Sequence, residues 1–463
     1  MLPTKIVVIG AGSAIFGRNI LGALCSSARL RGSHLALVDT NEETLALMGR
    51  LAARLNREWD AHMTITTHTH HGEALAGAAF VILSIEVPPR ERLWRSDYEI
   101  PLKYGVRQPY AENGGPGGFA HAARNIGPVM EIVRAMEREC PQAWLINFTN
   151  PMMRICDAVA RYSSIRVVGL CHQILAGYAM VAMALAQDLG IEIPPEFTDC
   201  HASPRTNEPR RRAALQALRL VDIKAAGLNH FTWMLDLRHR RTGEDLYPLF
   251  AQRWSELNPG FEPLTRRVYE IFGLFPMPGD EHLCEYLPWL TDPQTRPWEK
   301  FDISLYDWDY WEGSRARGHD EIAEMVAGRR DVEGLRNADS EGALEIIEHV
   351  AGGGNCYLQA VNLPNLGMIT NLPAGAIVET PGVASGPGVQ GLTVGVLPEP
   401  IAELCRREIT VVRLCVDAVI RGDRTAALQC LLLDPVITDF DTAQHILDDY
   451  LLTYRPYLPQ FWQ

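Results

Sequence analysis

Three features of the sequence predict an α/β architecture, a doubly wound parallel sheet followed by a mixed α+β half. Short apolar runs alternate with helix-period segments through the first 200 residues. A glycine-rich turn closes the first of those runs. Beyond residue 200 the alternation gives way to Pro-, Trp- and Gly-punctuated segments, then to strong helical periodicity over 398–432. At 463 residues the chain exceeds what one hydrophobic core supports. The change of rhythm divides it into two expected domains, 1–200 and 201–463.

Each element has its own signal. Lys5-Ile-Val-Val-Ile9 is a β-branched run suited to a strand buried on both faces. The turn follows, then a helical segment to about Ala28. His34–Asp39 reads as the second strand and Asn41 to about Leu55 as a helix. Further strands are expected near Thr64–Thr67, Ala79–Ile85, 143–148 and Ile165–Leu170. Ile174–Gln187 reads as a buried helix, too short and too interrupted to span a membrane. Arg205–Arg212 reads as a solvated basic loop, and Ala351–Gly395 as short strands between glycines and prolines.

Composition narrows the function. A formal charge of -13 argues against nucleic acid or an anionic membrane as partner, because either needs a basic surface. The N-terminus runs directly into a strand, so a cytoplasmic protein without a signal peptide is expected. Ten cysteines without CxxC pairs read as free thiols.

Gly10-Ala-Gly12-Ser13 follows a strand and opens a helix, and Asp39 ends the second strand. In a nucleotide-binding βαβ unit the first glycine makes the tight turn and the second admits the pyrophosphate, which meets the free N–H groups of the helix. Asp39 would accept the adenosine ribose hydroxyls and repel a 2′-phosphate, so NAD is the expected cofactor. The third glycine position holds Ile15, with Gly17 two residues on. Packing alone is the rival explanation of a bare GxG turn.

Four segments carry further chemistry: Asn147-Phe-Thr-Asn150-Pro151-Met152, Gly169-Leu-Cys171-His172-Gln173, Gly227-Leu-Asn229-His230-Phe231 and Gly279-Asp-Glu-His282-Leu-Cys-Glu285-Tyr286. The first two fall at the carboxyl ends of expected strands, where open α/β sheets bind ligands. Cys171 and His230 together suit a divalent metal with open coordination positions, although a buried cysteine also simply packs.

Taken with Ile100-Pro-Leu-Lys-Tyr-Gly-Val-Arg-Gln108, Gly115-Pro-Gly-Gly118, Arg124, Asn362-Leu-Pro-Asn365-Leu-Gly and Asn371-Leu-Pro…Val378-Glu379, these segments resemble glycoside hydrolase family 4 over almost the whole chain. The resemblance implies a Rossmann-like, lactate/malate dehydrogenase-like fold with a C-terminal α+β substrate domain. It implies hydrolysis of a small carbohydrate, an unphosphorylated α-galactoside, α-glucoside or α-hexuronide, in five steps. These are oxidation at C3 by NAD, deprotonation at C2, elimination of the aglycone, addition of water and re-reduction. Net hydrolysis then leaves no net redox change, outside the two-carboxylate scheme of most glycosidases.

The same resemblance assigns roles. Cys171 and His230 hold a divalent metal, with manganese expected. Gly10, Gly12, Ser13 and Asp39 bind NAD. Asn150, Arg124 and Asn229 bind the substrate. His172 protonates the leaving oxygen; relatives acting on 6-phosphosugars carry Asp or Asn there, so His172 points to an unphosphorylated substrate. Tyr286 is the candidate base at C2, its pKa lowered by a metal-side setting, with a core tyrosine as the alternative. His282 is a third ligand, a second acid or a structural residue. Glu112-Asn113 replaces the Asp-Thr that relatives often carry before Gly-Pro-Gly-Gly, which leaves the sugar open. A homodimer or homotetramer is expected from the family.

Other groups are read more plainly. Trp289, Trp298, Trp308 and Trp311 belong to a core or interface, or stack on sugars. Arg205 and Arg210–Arg212 are solvated, or bind a uronate. His68, His70 and His71 are surface residues. An NAD-dependent dehydrogenase of a sugar or 2-hydroxy acid, and a non-catalytic NAD sensor, are the rival functions. The dehydrogenase would accumulate NADH.

Overall fold

The computed structural model describes residues 3–198 and 207–463. Among these, twelve strands form one sheet. The first six are β1 (Lys5–Ile9), β2 (His34–Val38), β3 (Thr64–His68), β4 (Phe80–Leu83), β5 (Trp144–Asn147) and β6 (Arg166–Gly169). They pair in parallel in the order β3-β2-β1-β4-β5-β6. Helices cover both faces, as parallel strands buried on both sides require. The expected doubly wound α/β sheet is therefore present.

The sheet does not stop at β6. The strands β7 (Val221–Leu228), β8 (Phe231–His239), β9 (Phe275–Pro276), β10 (Asn355–Pro364), β11 (Ile377–Ser385) and β12 (Gly388–Gly391) continue it antiparallel. Beyond β6 the order runs β10-β11-β7-β8-β9, with β12 on β11. A row of paired residues crosses this junction: Gly169 with Asn362, Asn362 with Glu379, and Glu379 with Gly227. That row aligns the end of β6 with the β7–β8 hairpin tip at one end of the strands.

Two cores pack against it. The larger joins the parallel strands to the helices Gly115–Glu139, Met152–Tyr162 and Glu399–Arg421. The smaller surrounds the apolar helix Ile174–Leu189, with Phe250, Trp254 and Phe275 closing it. Here the structure corrects the expected basic loop: from Asn207 to Leu220 the chain is helical. Ala213, Ala214 and Ala217 are fully buried in the smaller core, and that packed face outweighs the charge run. Arg210 is consequently buried against Glu262 (2.7 Å). Arg205 lies outside the described residues. The helical stretch near 398–432 is two helices, Glu399–Arg421 and Arg424–Leu433, parted at Gly422 in the left-handed region and capped by Asp423. No helix among the described residues is long and apolar enough to cross a membrane. Nine described cysteines are free, seven of them buried.

Candidate active site

The turn after β1 is built for close approach. Gly10 has φ +85°, and a Cβ there would lie 1.8 Å from the Ser84 carbonyl oxygen. At Gly12 a Cβ would meet Thr44 Oγ1 at 2.5 Å and Asp39 Oδ2 at 2.7 Å. The Ser13 N–H points back to the Gly10 carbonyl (3.4 Å). The helix starts only at Phe16, so the glycine it lays against the turn is Gly17, whose Cβ would fall 2.4 Å from the Ala11 oxygen. Ile15 precedes the helix, where its side chain is exposed. The missing third glycine is thus displaced by two positions. Asp39 Oδ2 accepts the Gly12 N–H (2.8 Å) and Oδ1 accepts the Asn41 N–H (2.9 Å). From the second half of the chain His319 Nε2 reaches the Gly12 carbonyl (2.9 Å).

The neighbouring strand ends join this turn. Gly10 faces Ser84 after β4, and the Ile85 N–H donates to Thr149 Oγ1 after β5 (2.9 Å). Asn150 follows. Its Nδ2 donates to Glu112 Oε1 (3.2 Å), while its Oδ1 is buried without a partner. A buried acceptor left open costs free energy unless something fills it.

At the end of β6, Cys171 Sγ lies 3.2 Å from His230 Nε2. His230 occupies the tip of the β7–β8 hairpin at φ +60°, a region a residue with a Cβ enters at a cost. Burial and the neighbouring His282 and His172 push its pKa well below 6.5, leaving the neutral imidazole that a metal requires. Asn113 Nδ2, 2.9 Å from Nδ1, fixes the ring from the other side. The His282 ring stacks on His230 at 4.0 Å, and its Nδ1 is 3.1 Å from Glu285 Oε1. Donor atoms of His230, His282 and Glu285 all lie within 4.8 Å of one another. Burial pushes the Cys171 thiol up, with the Glu379 and Glu341 carboxylates adding to it. A divalent cation would invert that balance and stabilise the thiolate.

The loop before Gly115 binds this group together. Glu285 Oε2 accepts the Asn113 N–H (2.9 Å) and faces those of Glu112 and Gly114 (3.4 Å each). Asn113 Nδ2 also donates to Glu112 Oε2 (2.9 Å). The Gly117 and Gly118 positions let the loop lie on the helix start, since a Cβ at Gly118 would fall 2.4 Å from the Asn113 oxygen.

His172 is open, with its side chain 71% exposed and Nδ1 3.3 Å from Glu341 Oε1. The Glu341 carboxylate beside it raises the pKa of that imidazole to about 9. Asn229 Nδ2 donates to Glu379 Oε2 (2.9 Å), as does Asn362 Nδ2 (2.8 Å). Burial lifts Glu379 to about 7, and its Oε1 has no hydrogen-bond partner. The Tyr286 hydroxyl donates to the Asn229 carbonyl (3.3 Å). Burial, then Glu285 and Glu408, push Tyr286 well above 10. A cavity of about 10 Å³, room for one water, lies between Tyr286, Asn113, Arg154 and Glu408.

Arg124 does not join the group. Both arms of its guanidinium engage Asp97 (2.6 Å each), with the Tyr454 ring on one face. Arg211 is 3.5 Å from Asp339. Trp308 packs with Trp94 and Tyr98, Trp298 lies under Arg107, Trp311 stacks on Tyr306 and Trp289 is half exposed. His68 is 3.0 Å from Thr66 Oγ1, and His70 is exposed.

Two family models match the chain. The model described as family 4 glycosyl hydrolase covers residues 5–190, and that of the family's C-terminal domain covers 225–437. The chain is a family 4 glycosyl hydrolase. The α-glucosidase of Erwinia rhapontici is 29% identical to this family 4 chain over 99% of each. The α-galactosidase of Bacillus subtilis is 27% identical over 99% of each, and an α-galacturonidase of the same organism 28% over 96% of each. Among solved structures, the Bacillus subtilis protein lplD superposes with a TM-score of 0.83 at 26% identity, covering 97% of this chain and 100% of that one. The 6-phospho-β-glucosidase of Thermotoga maritima, solved with manganese, NAD⁺ and glucose-6-phosphate, gives 0.77 at 22% identity over 98% and 99% of the chains. That level of identity speaks to the shared fold.

The sequence singles out His282, with Glu285 in the same segment, and leaves other residues of this hydrolase's site unmarked. Glu285 and His282 carry a legible signal, the i, i+3 spacing that sets both on one turn. Glu112 and Asn113 were noted only as a departure from relatives. His319 and Glu341 have no local signal, since each acts on a partner more than 140 residues away; Glu379 stands in a quoted segment, but its contact with Asn229 is not legible there.

Proposed function

We propose that this hydrolase cleaves an unphosphorylated α-glycoside with NAD and a divalent cation, manganese in this reading, as resident catalysts. The observation that carries the proposal is the 3.2 Å contact between Cys171 Sγ and His230 Nε2. It stands at the same carboxyl ends of the parallel strands as the nucleotide turn and the unpartnered Oδ1 of Asn150. A thiol and a neutral imidazole at contact distance suit a soft-to-borderline divalent ion. The turn keeps glycine at Gly10 and Gly12, where a Cβ would strike Ser84, Thr44 and Asp39, and it follows β1 as a dinucleotide-binding βαβ unit requires.

When bound, NAD takes up and returns a hydride at the sugar's C3, and the cation stabilises the negative charge that develops beside it. The chain supplies the rest. Cys171 and His230 hold the cation, with His282 and Glu285 within reach of it. Asn150 Oδ1, lacking a protein partner, accepts a sugar hydroxyl and so orients the ring. His172, charged near neutral pH by Glu341, gives its proton to the leaving oxygen. Tyr286 takes the C2 proton; with the cation nearby its pKa falls from the raised value that burial imposes. Arg124 in this reading fixes the wall of the site through Asp97. Asn229 acts through its contacts with Glu379 and Tyr286.

Galactosides and glucosides are favoured over hexuronides. Of the arginines offered for a uronate carboxylate, Arg210 is paired with Glu262 and Arg211 with Asp339, and Arg205 lies outside the described residues. The names of the relatives fit an α-linked hexose or hexuronic acid. The proposal includes a cytoplasmic homodimer or homotetramer, with the chain divided near residue 200 into nucleotide and substrate parts.

The test is an assay of aryl α-galactoside, α-glucoside and α-galacturonide with and without NAD⁺, Mn²⁺ and a thiol reductant. Aglycone release that needs both NAD⁺ and the metal, without net gain at 340 nm, is the expected result. Hydrolysis without either sinks the mechanism, and stoichiometric NADH accumulation identifies a dehydrogenase instead.

A further inference from the structure

We propose that Glu341, a residue of the second half of the chain, is the positioning residue that aims His172 at the leaving group. The inference rests on the reading of His172 as the acid. An imidazole that is 71% exposed has little packing to hold its ring. What holds it is a contact on one nitrogen: Nδ1 lies 3.3 Å from Glu341 Oε1, which leaves Nε2 for the substrate. Such a carboxylate partner fixes which nitrogen faces outward.

The surroundings show that Glu341 is itself held in place. Its backbone lies in the left-handed region, φ +54°, unfavourable for a residue with a Cβ. Its N–H donates to Asp339 Oδ1 (2.8 Å), and Asp339 Oδ2 is 3.5 Å from Arg211. On the other side Ser340 Oγ accepts the Leu344 N–H (3.1 Å) and donates to Glu345 Oε2 (3.0 Å), tying the loop to the helix Ala343–Gly352. Glycine would relax the backbone here. Glutamate places a carboxylate at His172 in spite of the strain, a pattern that points from an outlier to function.

The test compares an alkyl and a 4-nitrophenyl glycoside of the same sugar in the holoenzyme, because only the poor leaving group needs a proton. Glu341→Gln and Glu341→Gly should lower kcat on the alkyl glycoside about tenfold while leaving 4-nitrophenyl turnover within about twofold, a fraction of a general acid's ~10²–10⁴. Glu341→Asp should restore part of the loss. Glu341→Gly should unfold no earlier than the parent, which separates positioning from a role in stability. His172→Ala should show the same leaving-group pattern more strongly, and adding Glu341→Gln to it should cost nothing further. If both glycosides slow equally in Glu341→Gln, or neither slows, the inference fails. If His172→Ala itself shows no leaving-group dependence, the assignment of His172 as the acid fails instead.

Discussion

Cys171 Sγ and His230 Nε2 lie 3.2 Å apart although 59 residues separate them in the chain. The row Gly169–Asn362–Glu379–Gly227 explains the meeting. Cys171 stands two residues beyond one end of that row, and His230 three beyond the other. Two strands from the C-terminal half, β10 and β11, therefore build the bridge on which this contact depends.

Replacing Cys171 removes the softest donor of the proposed metal site. Cys171→Ser should lower bound manganese in metal analysis and reduce activity by about 10–100-fold, the scale of altered metal-site ligation. NAD affinity, followed by fluorescence titration, should change less than about twofold. Unchanged metal content would move the site to His282 and Glu285.

The nucleotide turn predicts two separable failures. Gly12→Ala places a methyl 2.5 Å from Thr44 Oγ1 and 2.7 Å from Asp39 Oδ2, so NAD binding should be lost in calorimetry. Gly17→Ala instead drives a methyl into the Ala11 carbonyl at 2.4 Å. It should cost about 1–3 kcal/mol in denaturant titration, as overpacking does, with a smaller effect on NAD.

Tyr286→Phe tests the base. Exchange of the C2 proton with deuterated solvent should fall by about 10²–10⁴-fold, with NAD affinity kept. Exchange that persists would transfer the role to another group of the site.

Arg124 and Asp97 are both fully buried and form a two-pronged ion pair. Asp97→Asn leaves the guanidinium uncompensated and should destabilise the fold by about 3–5 kcal/mol. Arg124→Gln should likewise act on the denaturation midpoint before KM. A KM increase at unchanged stability would restore Arg124 to the substrate.

Acid should reveal the Glu86–His121 pair. Glu86 Oε1 is 2.8 Å from His121 Nε2 and accepts from Asn125 Nδ2 (2.9 Å). Burial raises the carboxyl, but His121 and Arg90 outweigh it and hold Glu86 at about 2, below its ordinary 4.5. A depressed carboxylate contributes stability above pH 4.5 that is lost as pH falls towards 2. His121 is raised, so its share is complete below pH 6.5 and fades as pH climbs through its folded pKa. Glu86→Gln should flatten the decline of the denaturation midpoint below pH 5. A parallel, merely lowered curve would remove Glu86 from the acid response.

The sequence determined the parallel half of the fold, since β-branched runs, the Gly10–Ser13 turn and Asp39 are local patterns that dictate local conformation. It also marked Cys171, His172, His230 and Tyr286, because the four segments keep their chemistry in short, readable stretches. Tertiary structure alone decided the rest. The basic run after 207 became helix because three alanines found a core. Gly17 took the place of the absent glycine because the helix began at Phe16. Arg124 was taken up by Asp97, and burial with Glu285 and Glu408 raised the pKa of Tyr286, because both depend on what the folded chain packs around them. His319 and Glu341 are silent in the sequence for the same reason. Local pattern reports what a segment can form, whereas a pKa, an ion pair or a ligand distance belongs to whatever the folded chain brings beside it.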